Sequence, residues 1–366
     1  MVLPIASPLD FEAIPTAVTE ILADYIDGRW AEIERIGAPV VAAVSELRTF
    51  VLGGGKRIRP LYGWAGFVGA GGVDRGENLH AVLTAVSSLE LIQACALIHD
   101  DIIDASDTRR NAPTVHRGVE KRHAQRGWRG DSAHFGTSVA TLVGDLALAW
   151  ADDMVLDLRL SQQARLRLLE PWRAMRTEVI GGQLLDIALE ATGSEDIALA
   201  NNVNRYKTAA YTIERPLHLG AAIAGADATT ISAFRGYGRD IGVAFQLRDD
   251  LLGVFGDPEV TGKPAGDDLR EGKRTVLLAL ALKDLDHRDP HAAARLRAGI
   301  GATQGPAHIA ELTSIIAESS APQHVEQRIA TLVESGLEHL TNGAHISAET
   351  TELLRALAIR STSRKK

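Results

Sequence analysis

The fold class of this chain of 366 residues is decided by residues 79–104, which read LHAVLTAVSSLELIQACALIHDDIID. Apolar residues such as Leu79, Val82, Leu83 and Val86 recur there at the three- and four-residue spacing of one face of a helix. The same spacing recurs along a chain that is rich in alanine and leucine, and no segment of the sequence shows the alternating pattern of β-strands. The sequence therefore predicts an all-α protein, with a single helix over residues 79–104.

Carboxylates are concentrated where this predicted helix ends, in the segment LIHDDIIDASDTRR at residues 97–110. At about 3.6 residues per turn, Asp100 and Asp104 lie one above the other on one face, and Gln93 lies close to that face two turns earlier. The acidic pair thus stands at the rim of an apolar surface. Such a pair is also typical of a solvated helix end, so its interpretation depends on the rest of the chain.

A second pair of aspartates occurs in VAFQLRDDLLGVFGD, residues 243–257. Here an apolar helical run ends in Asp249 and Asp250, with Gln246 one turn earlier. Two acidic helix ends that face each other would hold hard divalent cations, because Mg²⁺ prefers oxygen ligands and typically binds one or two carboxylates together with substrate phosphates. The two pairs therefore predict a magnesium site that a phosphorylated ligand completes.

Basic residues that could bind such phosphates occur around both acidic motifs. A single lysine or arginine in a loop is usually a solvated charge, so each of them is a candidate only. The segment GGGKRIRP, residues 53–60, is not a P-loop, because Phe50 stands where the first glycine should be and Arg57 follows the lysine where Ser or Thr is required. ATP or GTP hydrolysis is therefore disfavoured. The candidate phosphate ligands are Lys56, Arg59, Arg109, Arg110, Lys207 with its neighbour Thr208, Lys263 and Lys273.

Composition excludes other classes of protein. The formal net charge of -8 disfavours general binding to nucleic acid, which depends on lysine and arginine neutralising phosphates. Cys95 is the only cysteine in the sequence, so neither an intrachain disulfide nor a zinc site built on cysteines is possible. This cysteine content suits a reducing cytoplasm.

No membrane span is predicted. The best candidate, residues 137–154, carries Asp145 near its centre and ends in further acids, and such charges are costly in lipid. We interpret this segment as a buried core helix. Residues 1–30 also lack the basic segment and apolar core of a signal peptide, so a cytoplasmic protein is expected.

The sequence indicates one domain over residues 1–366, made of many helices. It contains no repeat of fixed period and no low-complexity tract. The last residues, 360–366, form a basic tail that we expect to fray. The predicted loops between helices span residues 69–76, 118–132, 190–197 and 256–268.

In chain order, the motifs of this sequence resemble those of the trans-isoprenyl diphosphate synthases, also called polyprenyl synthetases. The first acidic motif has two residues between its second and third aspartate, a pattern most similar to that of bacterial geranylgeranyl diphosphate synthases. The resemblance implies a single-domain helical bundle around a central active-site cavity, in a homodimer. It runs from about residue 50 to about residue 280 through GGGKRIRP, LIHDDIIDASDTRRNAPTVH, VGDLAL, GGQLLDI, YKTAAYT, FQLRDDLLGVFGD and GKPAGDDLREGKRT.

The activity implied by this resemblance is the head-to-tail condensation of isopentenyl diphosphate with an allylic diphosphate. The allylic substrate ionises to a carbocation, the double bond of isopentenyl diphosphate attacks it, and loss of a proton leaves a chain longer by one five-carbon unit. The cofactor implied is Mg²⁺, with three ions per active site when substrate is bound. By this resemblance Asp100, Asp104 and Asp249 ligate Mg²⁺ with Asp101 and Asp250 in support; Arg109, Lys207, Lys263 and Lys273 hold the allylic diphosphate; Lys56, Arg59, Gln93 and Arg110 hold isopentenyl diphosphate; and Thr208 and Gln246 stabilise the developing cation.

Product length is expected to depend on the residues four and five positions before Asp100. In the family that the sequence resembles, aromatic rings there stop growth early, whereas this chain has the small residues Cys95 and Ala96. A growing chain whose diphosphate is held at Asp100 must run back along the helix past Ala96, one turn below. We therefore expect the twenty-carbon product geranylgeranyl diphosphate, with farnesyl diphosphate and longer polyprenyl diphosphates as alternatives.

One position departs from the family pattern. The second acidic motif often reads Asp-Asp-x-x-Asp, but the fifth place is Gly253 here, and the next aspartate is Asp257. This puts residue 253 in doubt as a metal ligand and weakens the symmetry of the two motifs.

Other classes of function stay open. A non-catalytic partner subunit of a heteromeric synthase would show eroded acidic or basic motifs, which apart from Gly253 are intact. An HD-type metal phosphohydrolase would use His99 and Asp100 with further ligands, for which His80 is the only upstream histidine candidate. A terpene cyclase shares the fold but would not need basic residues for a second diphosphate.

Overall fold

Helices dominate the structure, and the predicted all-α class is confirmed. Within the described ranges, the only strands are Thr108–Arg109 and Ala112–Pro113, which pair antiparallel. The structure is a computed structural model that describes residues 9–257, 266–302, 305–341 and 345–363.

The chain divides into two compact units. The first comprises residues 1–173 and 216–227, and the second comprises residues 174–215 and 228–366. The single domain over residues 1–366 and its central cavity stay predictions.

Short connections join the helices of the N-terminal half, as is usual for packed helices. The predicted loop at residues 69–76 includes a 3₁₀ turn, Gly72–Arg75, and another 3₁₀ turn, Phe11–Ala13, precedes the first helix. The α-helices are α1 Ile14–Gly28, α2 Trp30–Ile36, α3 Ala38–Leu52, α4 Ile58–Gly69, α5 Leu79–Ile103, α6 Val115–Gln125 and α7 Ser132–Leu156.

Helix α5 confirms the helix predicted over residues 79–104. Asn78 caps its first turn by accepting a backbone hydrogen bond (3.1 Å), and Asp104 is its C-cap. Val86 packs closely against α4, where a Cβ at Gly63 would lie 2.6 Å from the Val86 Cγ1. Because only glycine permits this approach, α5 lies deep in the core of the first unit.

Within the described ranges, α5 is also the one helix that is long and apolar enough to cross a membrane. Its most apolar window has a mean hydropathy of 1.8, and 72% of that window is buried inside the protein. Packing in a core accounts for this composition, because a helix that is covered on several sides needs apolar residues on those sides.

Residues 137–154, predicted to form a buried core helix, lie in α7. Ala140 and Ala147 are buried on one face, whereas Leu142 is 68% exposed and Asp145 is exposed on the other. The helix is confirmed, and one of its faces is buried as predicted, whereas the face that carries Leu142 and Asp145 is exposed. Helical periodicity places the apolar and charged residues of this segment on opposite faces.

The loop predicted at residues 118–132 is largely helical, because α6 continues through Gln125. Val119 and His123, one turn apart, are buried and hold the helix against the unit. The other face is charged and exposed, which produced the loop-like sequence pattern. The true loop covers only residues 126–131 and leads into α7.

The remaining helices include one long π-helical segment, residues 204–214. The predicted loop at residues 190–197 shortens to residues 193–196, and residues 258–265 of the predicted loop at 256–268 lie outside the described residues. The α-helices are α8 Gln162–Thr192, α9 Ile197–Val203, α10 Arg215–Ala224, α11 Ala228–Phe255, α12 Asp267–Glu271, α13 Val276–Arg288, α14 Pro290–Gly299, α15 Pro306–Ala317, α16 Ala321–Thr341 and α17 Ala348–Thr362.

Helix α11 is the central helix of the second unit, and it does not end at its aspartates. Asp249 and Asp250 are followed by a further turn and a half that ends at Phe255. Leu251 and Val254 are buried and extend the apolar face past the acids. The prediction of an acidic helix end is therefore wrong here, because packing continues beyond the charges.

The C-terminal segment also differs from expectation. Helix α17 continues through Thr362, and the guanidinium Nε of Arg248 donates a hydrogen bond to the Thr362 carbonyl (2.8 Å). Residues 360–362 of the predicted frayed tail are therefore helical. Residues 364–366 lie outside the described residues.

Candidate active site

The first acidic motif occupies the last turn of α5, where an arginine holds it. Asp101 is 1% exposed, and its Oδ1 accepts a hydrogen bond from Arg109 Nε (2.7 Å). The Nη2 of the same guanidinium lies 3.4 Å from the Asp100 Oδ2. Arg109 is placed there by the short hairpin after α5, of which Thr108–Arg109 is the first strand. Two carboxylates and one guanidinium are thus assembled beside Asp104, which is half-buried.

The basic loop GGGKRIRP, residues 53–60, turns one of its arginines into the protein. Arg57 has a left-handed backbone conformation (φ 48°), which is unfavourable for a residue with a Cβ. Its guanidinium is buried and donates hydrogen bonds to the Glu90 Oε2 and to the Val51 carbonyl, both at 2.7 Å. These contacts hold the loop on α5 and offset the backbone cost.

Arg57 and Glu90 were both missed in the sequence, although one signal was present. Glu90 is the only Asp, Glu, Lys or Arg between residues 79 and 98, in an otherwise apolar helix. The side chains of Arg57 and Glu90 are each 4% exposed. A single charged residue in a core helix needs a partner of opposite charge. Which residue becomes that partner depends on tertiary contacts.

Arginines predicted to bind diphosphate cluster around this loop. Arg110 Nη1 donates to the Gly54 carbonyl (2.9 Å). Burial lowers the pKa of Arg110; Glu90 raises it, and the positive charges of Arg57, Arg109 and Arg59 lower it further. The structure therefore brings Arg59, Arg109 and Arg110 together within the first unit.

Like charges that lie close together repel one another; two unit charges about 4 Å apart at an effective dielectric near 20 repel by roughly 4 kcal/mol. A polyanion relieves this repulsion when it binds between the arginines. The cluster is therefore suited to a diphosphate. Lys56 lies exposed at its edge, and Gln93 is half-buried on α5 one turn after Glu90.

The residues predicted to control product length also lie on α5. Cys95 and Ala96 are both half-buried, in the turn before Asp100. Burial, together with the charge of Asp145, raises the pKa of the Cys95 thiol to about 12. Cys95 is thus a neutral, small side chain at neutral pH.

The second acidic motif has different partners. Asp250 is 3% exposed and accepts hydrogen bonds from Gln246 Nε2 at 2.8 Å and from Asn204 Nδ2 at 3.5 Å. The pKa of Asp250 is raised to about 7, chiefly by burial and also by the charges of Asp268 and Asp249, against the lowering effect of the hydrogen bonds from Gln246 and Asn204. Asp249 is half-buried beside it. Gln246, predicted to stabilise a cation, thus also positions this carboxylate.

Lys207 and Thr208 lie on the π-helical segment, a conformation that is rare and often found at functional sites. The Lys207 Nζ lies 2.5 Å from the Asp186 Oδ2 on α8. A Cβ at Gly182 would lie 2.2 Å from the Lys207 backbone nitrogen, so glycine is required for this close packing. Asp186 lies in the quoted motif GGQLLDI but received no role, because its partner is 21 residues away.

The two remaining predicted lysines follow the second acidic motif. Lys273 is half-buried, and its Nζ lies 3.1 Å from the Glu271 Oε2. Gly272 precedes it with a φ of 85°, a turn conformation that suits glycine. Lys263 lies outside the described residues, so its role stays a prediction.

The donors in both motifs fit magnesium. Carboxylate oxygens are hard ligands, and Mg²⁺ is typically bound through one or two of them together with substrate phosphates. Within the part of the chain that the structure describes, no group of three His, Cys, Asp or Glu side chains forms a metal site by itself. The metal ligands named from the sequence therefore stay a prediction.

The histidines argue against an HD-type phosphohydrolase. His99 Nε2 lies 3.1 Å from the Thr141 carbonyl and 3.5 Å from the Asp145 Oδ1, both on α7. His80 is on the same straight helix 19 residues earlier, roughly 28 Å away at 1.5 Å per residue. The two histidines therefore cannot share a metal with Asp100.

Comparisons with known proteins agree with these motifs. The sequence model of the family described as Polyprenyl synthetase matches residues 42–318. The crystal structure of geranylgeranyl pyrophosphate synthase from Corynebacterium glutamicum, complexed with isoprenyl diphosphate and magnesium, is 59% identical in sequence, covers 98% of this chain and 100% of that chain, and has a TM-score of 0.95.

Relatives with other product names are also similar. Geranylfarnesyl diphosphate synthase from Aeropyrum pernix is 33% identical over 307 residues, which are 83% of this chain and 88% of that protein. (2E,6E)-farnesyl diphosphate synthase from Mycobacterium bovis is 37% identical over 225 residues, which are 61% of this chain and 55% of that protein.

Proposed function

Because the chain belongs to the polyprenyl synthetase family and is a prenyltransferase, we propose that it condenses isopentenyl diphosphate head-to-tail with allylic diphosphates in a reaction that depends on Mg²⁺. We propose geranylgeranyl diphosphate as its main product. The observation that carries the proposal is the arginine cluster around residues 53–60, which lies on the same unit as the acidic end of α5. This unit therefore offers carboxylates for the magnesium complex of the allylic diphosphate and guanidinium groups for isopentenyl diphosphate.

In this proposal, Asp100, Asp104 and Asp249 hold Mg²⁺, with Asp101 and Asp250 in support. The bound ions supply charge stabilisation to the departing diphosphate of the allylic substrate. The C–O bond of that substrate breaks with its electron pair on the diphosphate.

Basic residues bind the two diphosphates in distinct groups. Arg59, Arg110 and Lys56 hold isopentenyl diphosphate with Gln93, so that its double bond attacks the allylic carbon. The residues proposed for the allylic diphosphate are Arg109, Lys207, Lys263 and Lys273. Thr208 and Gln246 present oxygen atoms to the developing cation. The condensed carbocation then loses a proton to the released diphosphate, and its C–H electron pair forms the new double bond.

The small side chains of Cys95 and Ala96 support a product longer than farnesyl diphosphate. The name of the 59% identical structure supports the twenty-carbon product. The other relatives carry fifteen-carbon and twenty-five-carbon names, so farnesyl and longer diphosphates are the alternatives.

The direct test is incubation of the purified protein with Mg²⁺, isopentenyl diphosphate and each of dimethylallyl, geranyl and farnesyl diphosphate, followed by sizing of the products. We expect geranylgeranyl diphosphate in each case, and no product after addition of EDTA. A main product of fifteen carbons would contradict the proposed length, and the absence of any product would contradict the proposed reaction.

Substitution of Ala96 tests the wall of the product site. Ala96→Phe fills space one turn below Asp100, so the main product should shift to fifteen carbons or fewer. The control is Ile36→Phe on α2, where the side chain is exposed and an added ring should leave the product distribution unchanged. An unchanged product distribution in Ala96→Phe would show that this residue does not line the growing chain.

The resemblance also leads us to propose a cytoplasmic homodimer. Leu142 and Leu156, on α7, are 68% and 65% exposed, and a second copy of the chain would cover them. Light scattering after size exclusion should give twice the mass of the chain. A mass equal to one chain at micromolar concentration would contradict the dimer.

A further inference from the structure

The short hairpin after α5 carries Arg109 and Arg110, one of the arginines proposed for each diphosphate. Its strands have two residues each, and Arg109 pairs with Ala112. The turn between them consists of Arg110 and Asn111, whose φ values are 54° and 60°. A two-residue turn of the I′ class requires positive φ at both positions, although such φ values are unfavourable for residues with a Cβ. Since so short a hairpin is at best marginally stable by itself, contacts outside it must hold it in place.

Thr114 makes such contacts at the base of the hairpin. It is 1% exposed, and its backbone N–H donates a hydrogen bond to the Asp107 carbonyl (3.1 Å). Its hydroxyl donates to the Ser106 carbonyl (2.9 Å). Thr114 is also the N-cap of α6, where a threonine hydroxyl ordinarily accepts a hydrogen bond from the first turn of the helix. Among the described residues this hydroxyl accepts no such capping bond, and it is turned toward the segment that enters the hairpin.

A buried histidine, His116, forms a second contact with the same hydroxyl. Its side chain belongs to a residue that is 5% exposed, and its Nδ1 lies 3.1 Å from the Thr114 Oγ1. A hydroxyl has one proton to donate, and here that proton goes to the Ser106 carbonyl. The Thr114 oxygen therefore accepts the second hydrogen bond from the Nδ1–H of His116. These two bonds join the entry of the hairpin to the first turn of α6.

Close packing between α6 and α7 fixes that first turn. A Cβ at Gly136 on α7 would lie 2.4 Å from the His116 backbone carbonyl oxygen, so glycine is required for this approach. Val115 and Val119 on α6 are also buried. The start of α6 is thus a fixed point from which Thr114 and His116 can hold the hairpin.

We propose that Thr114 and His116 are positioning residues, whose buried hydrogen bonds fix the hairpin and thereby the directions of both Arg109 and Arg110. This inference rests on the proposed function, because the proposed reaction assigns the two arginines to different diphosphates. One pair of buried bonds then sets the geometry of both substrate sites.

The first test is Thr114→Val, which keeps the shape of the side chain and removes the hydroxyl. The Ser106 carbonyl and the His116 Nδ1–H then lose this partner, and the hairpin loosens. The KM values for isopentenyl diphosphate and for the allylic substrate should both rise by roughly five-fold, the size expected for one lost hydrogen bond, with kcat changed by less than about two-fold. Thr114→Ser retains the hydroxyl and should restore both KM values.

This pattern differs from that of a merely structural residue. A variant that only reduced the amount of folded protein would lower the apparent kcat and leave both KM values unchanged. Unchanged KM values in Thr114→Val, or a rise for one substrate alone, would therefore overturn the proposal.

The control variant is Thr84→Val on α5. The Thr84 hydroxyl donates to the His80 carbonyl (2.8 Å), and it lies sixteen residues before Asp100, roughly 24 Å away at 1.5 Å per residue. This variant should leave both KM values unchanged. His116→Phe should raise both KM values less than Thr114→Val does, because the Thr114 hydroxyl keeps its carbonyl partner. Equal rises in Thr84→Val and Thr114→Val would overturn the proposal.

Two further measurements do not depend on turnover. Backbone hydrogen exchange at residues 105–113 should be faster by about five-fold in Thr114→Val, while amides within α5 exchange as in the wild-type protein. Calorimetric titration with inorganic pyrophosphate and Mg²⁺ should show binding weakened by a similar factor. Unchanged exchange or unchanged pyrophosphate affinity would overturn the proposal, whereas the absence of any prenyl product from the wild-type protein would overturn the proposed function.

Discussion

The aspartates at the end of α5 are held by an arginine, whereas the aspartates within α11 are held by amides and lie beside further acids. Asp101 meets the guanidinium of Arg109, while Asp250 meets Gln246 and Asn204 and is repelled by Asp249 and Asp268. The buried carboxylate of the first motif is therefore bonded to a cation, whereas the buried carboxylate of the second is bonded to neutral amides.

This difference follows from where each motif lies in its helix. The first stands at a C-terminus, where the chain can turn back and bring Arg109 to the acids through a hairpin. The second lies inside α11, so its neighbours are residues of α11 itself, such as Gln246, and residues of other segments, such as Asn204. A buried carboxylate that is bonded to neutral amides gains more from a bound cation than one that is already bonded to a guanidinium.

The largest effect should follow loss of the proposed metal ligands. Asp100→Asn and Asp249→Asn should each lower turnover by about 10²–10³-fold or more, because charge stabilisation in the transition state is lost. If the second motif depends more on metal, Asp249→Asn should also raise the Mg²⁺ concentration needed for half-maximal rate more than Asp100→Asn does. Circular dichroism should show an intact helical fold in both. Near wild-type turnover of either variant at saturating Mg²⁺ would contradict its assignment.

The next effect concerns the ion pairs that position the basic residues of the two units. The Arg57 and Glu90 side chains are 4% exposed, against 19% and 13% for Lys207 and Asp186. Arg57→Met should lower the free energy of unfolding by about 3–5 kcal/mol, since it leaves the Glu90 carboxylate buried without its partner. Lys207→Met should cost less, because solvent reaches Asp186.

Urea unfolding measures the stability of both variants. The control is the double variant that carries Arg57→Met and Glu90→Met together. The double substitution removes the buried charge altogether and should recover much of the loss. A double variant as unstable as Arg57→Met alone would mean that packing of Arg57, rather than its charge, holds the basic loop.

Substitutions in the two substrate sites should affect different kinetic constants in steady-state measurements. Arg59→Ala or Lys56→Ala should raise the KM for isopentenyl diphosphate by roughly ten-fold to a hundred-fold, the range for a lost charge-assisted contact, with little change for the allylic substrate. Lys207→Ala should do the reverse or chiefly lower kcat. Equal effects on both substrates would mean that these residues do not divide between two diphosphates.

The smallest effect compares the two buried supporting aspartates in the absence of metal. Asp101→Asn should lower the free energy of unfolding by about 1–3 kcal/mol, because Arg109 loses a charged partner. Asp250→Asn should change it by less than about 1 kcal/mol, because an amide can bond to Gln246 and no longer repels Asp249. Urea unfolding in EDTA measures both. A larger loss of unfolding free energy in Asp250→Asn than in Asp101→Asn would contradict this expectation.

Features that depend on local spacing could be predicted from the sequence. The helix over residues 79–104, the adjacency of Asp100 and Asp104 and the pair Asp249 and Asp250 follow from helical geometry alone. The loop predicted at residues 118–132 failed because a helix with one charged face resembles a loop until Val119 and His123 are seen to be buried.

Partners from distant segments were out of reach of such reasoning. Glu90 can be recognised in the sequence as a single charge in an apolar helix. The residues next to it in sequence do not indicate that its partner is Arg57, which is 33 residues away. Asp186 received no role for the same reason. Asp268 lies within a quoted motif, yet its contact with Gly253 appears only when α12 packs beside α11.

The sequence by itself determined the all-α class, the order of the acidic and basic motifs, the family resemblance and the small residues before the first acidic motif, because each of these depends on residue type and short-range spacing. Only the tertiary structure decided which charges meet: Arg109 with Asp101, Arg57 with Glu90 and Lys207 with Asp186. The physical reason is that burial and charge pairing depend on distances in space, and a chain brings segments far apart in sequence together only when its helices pack.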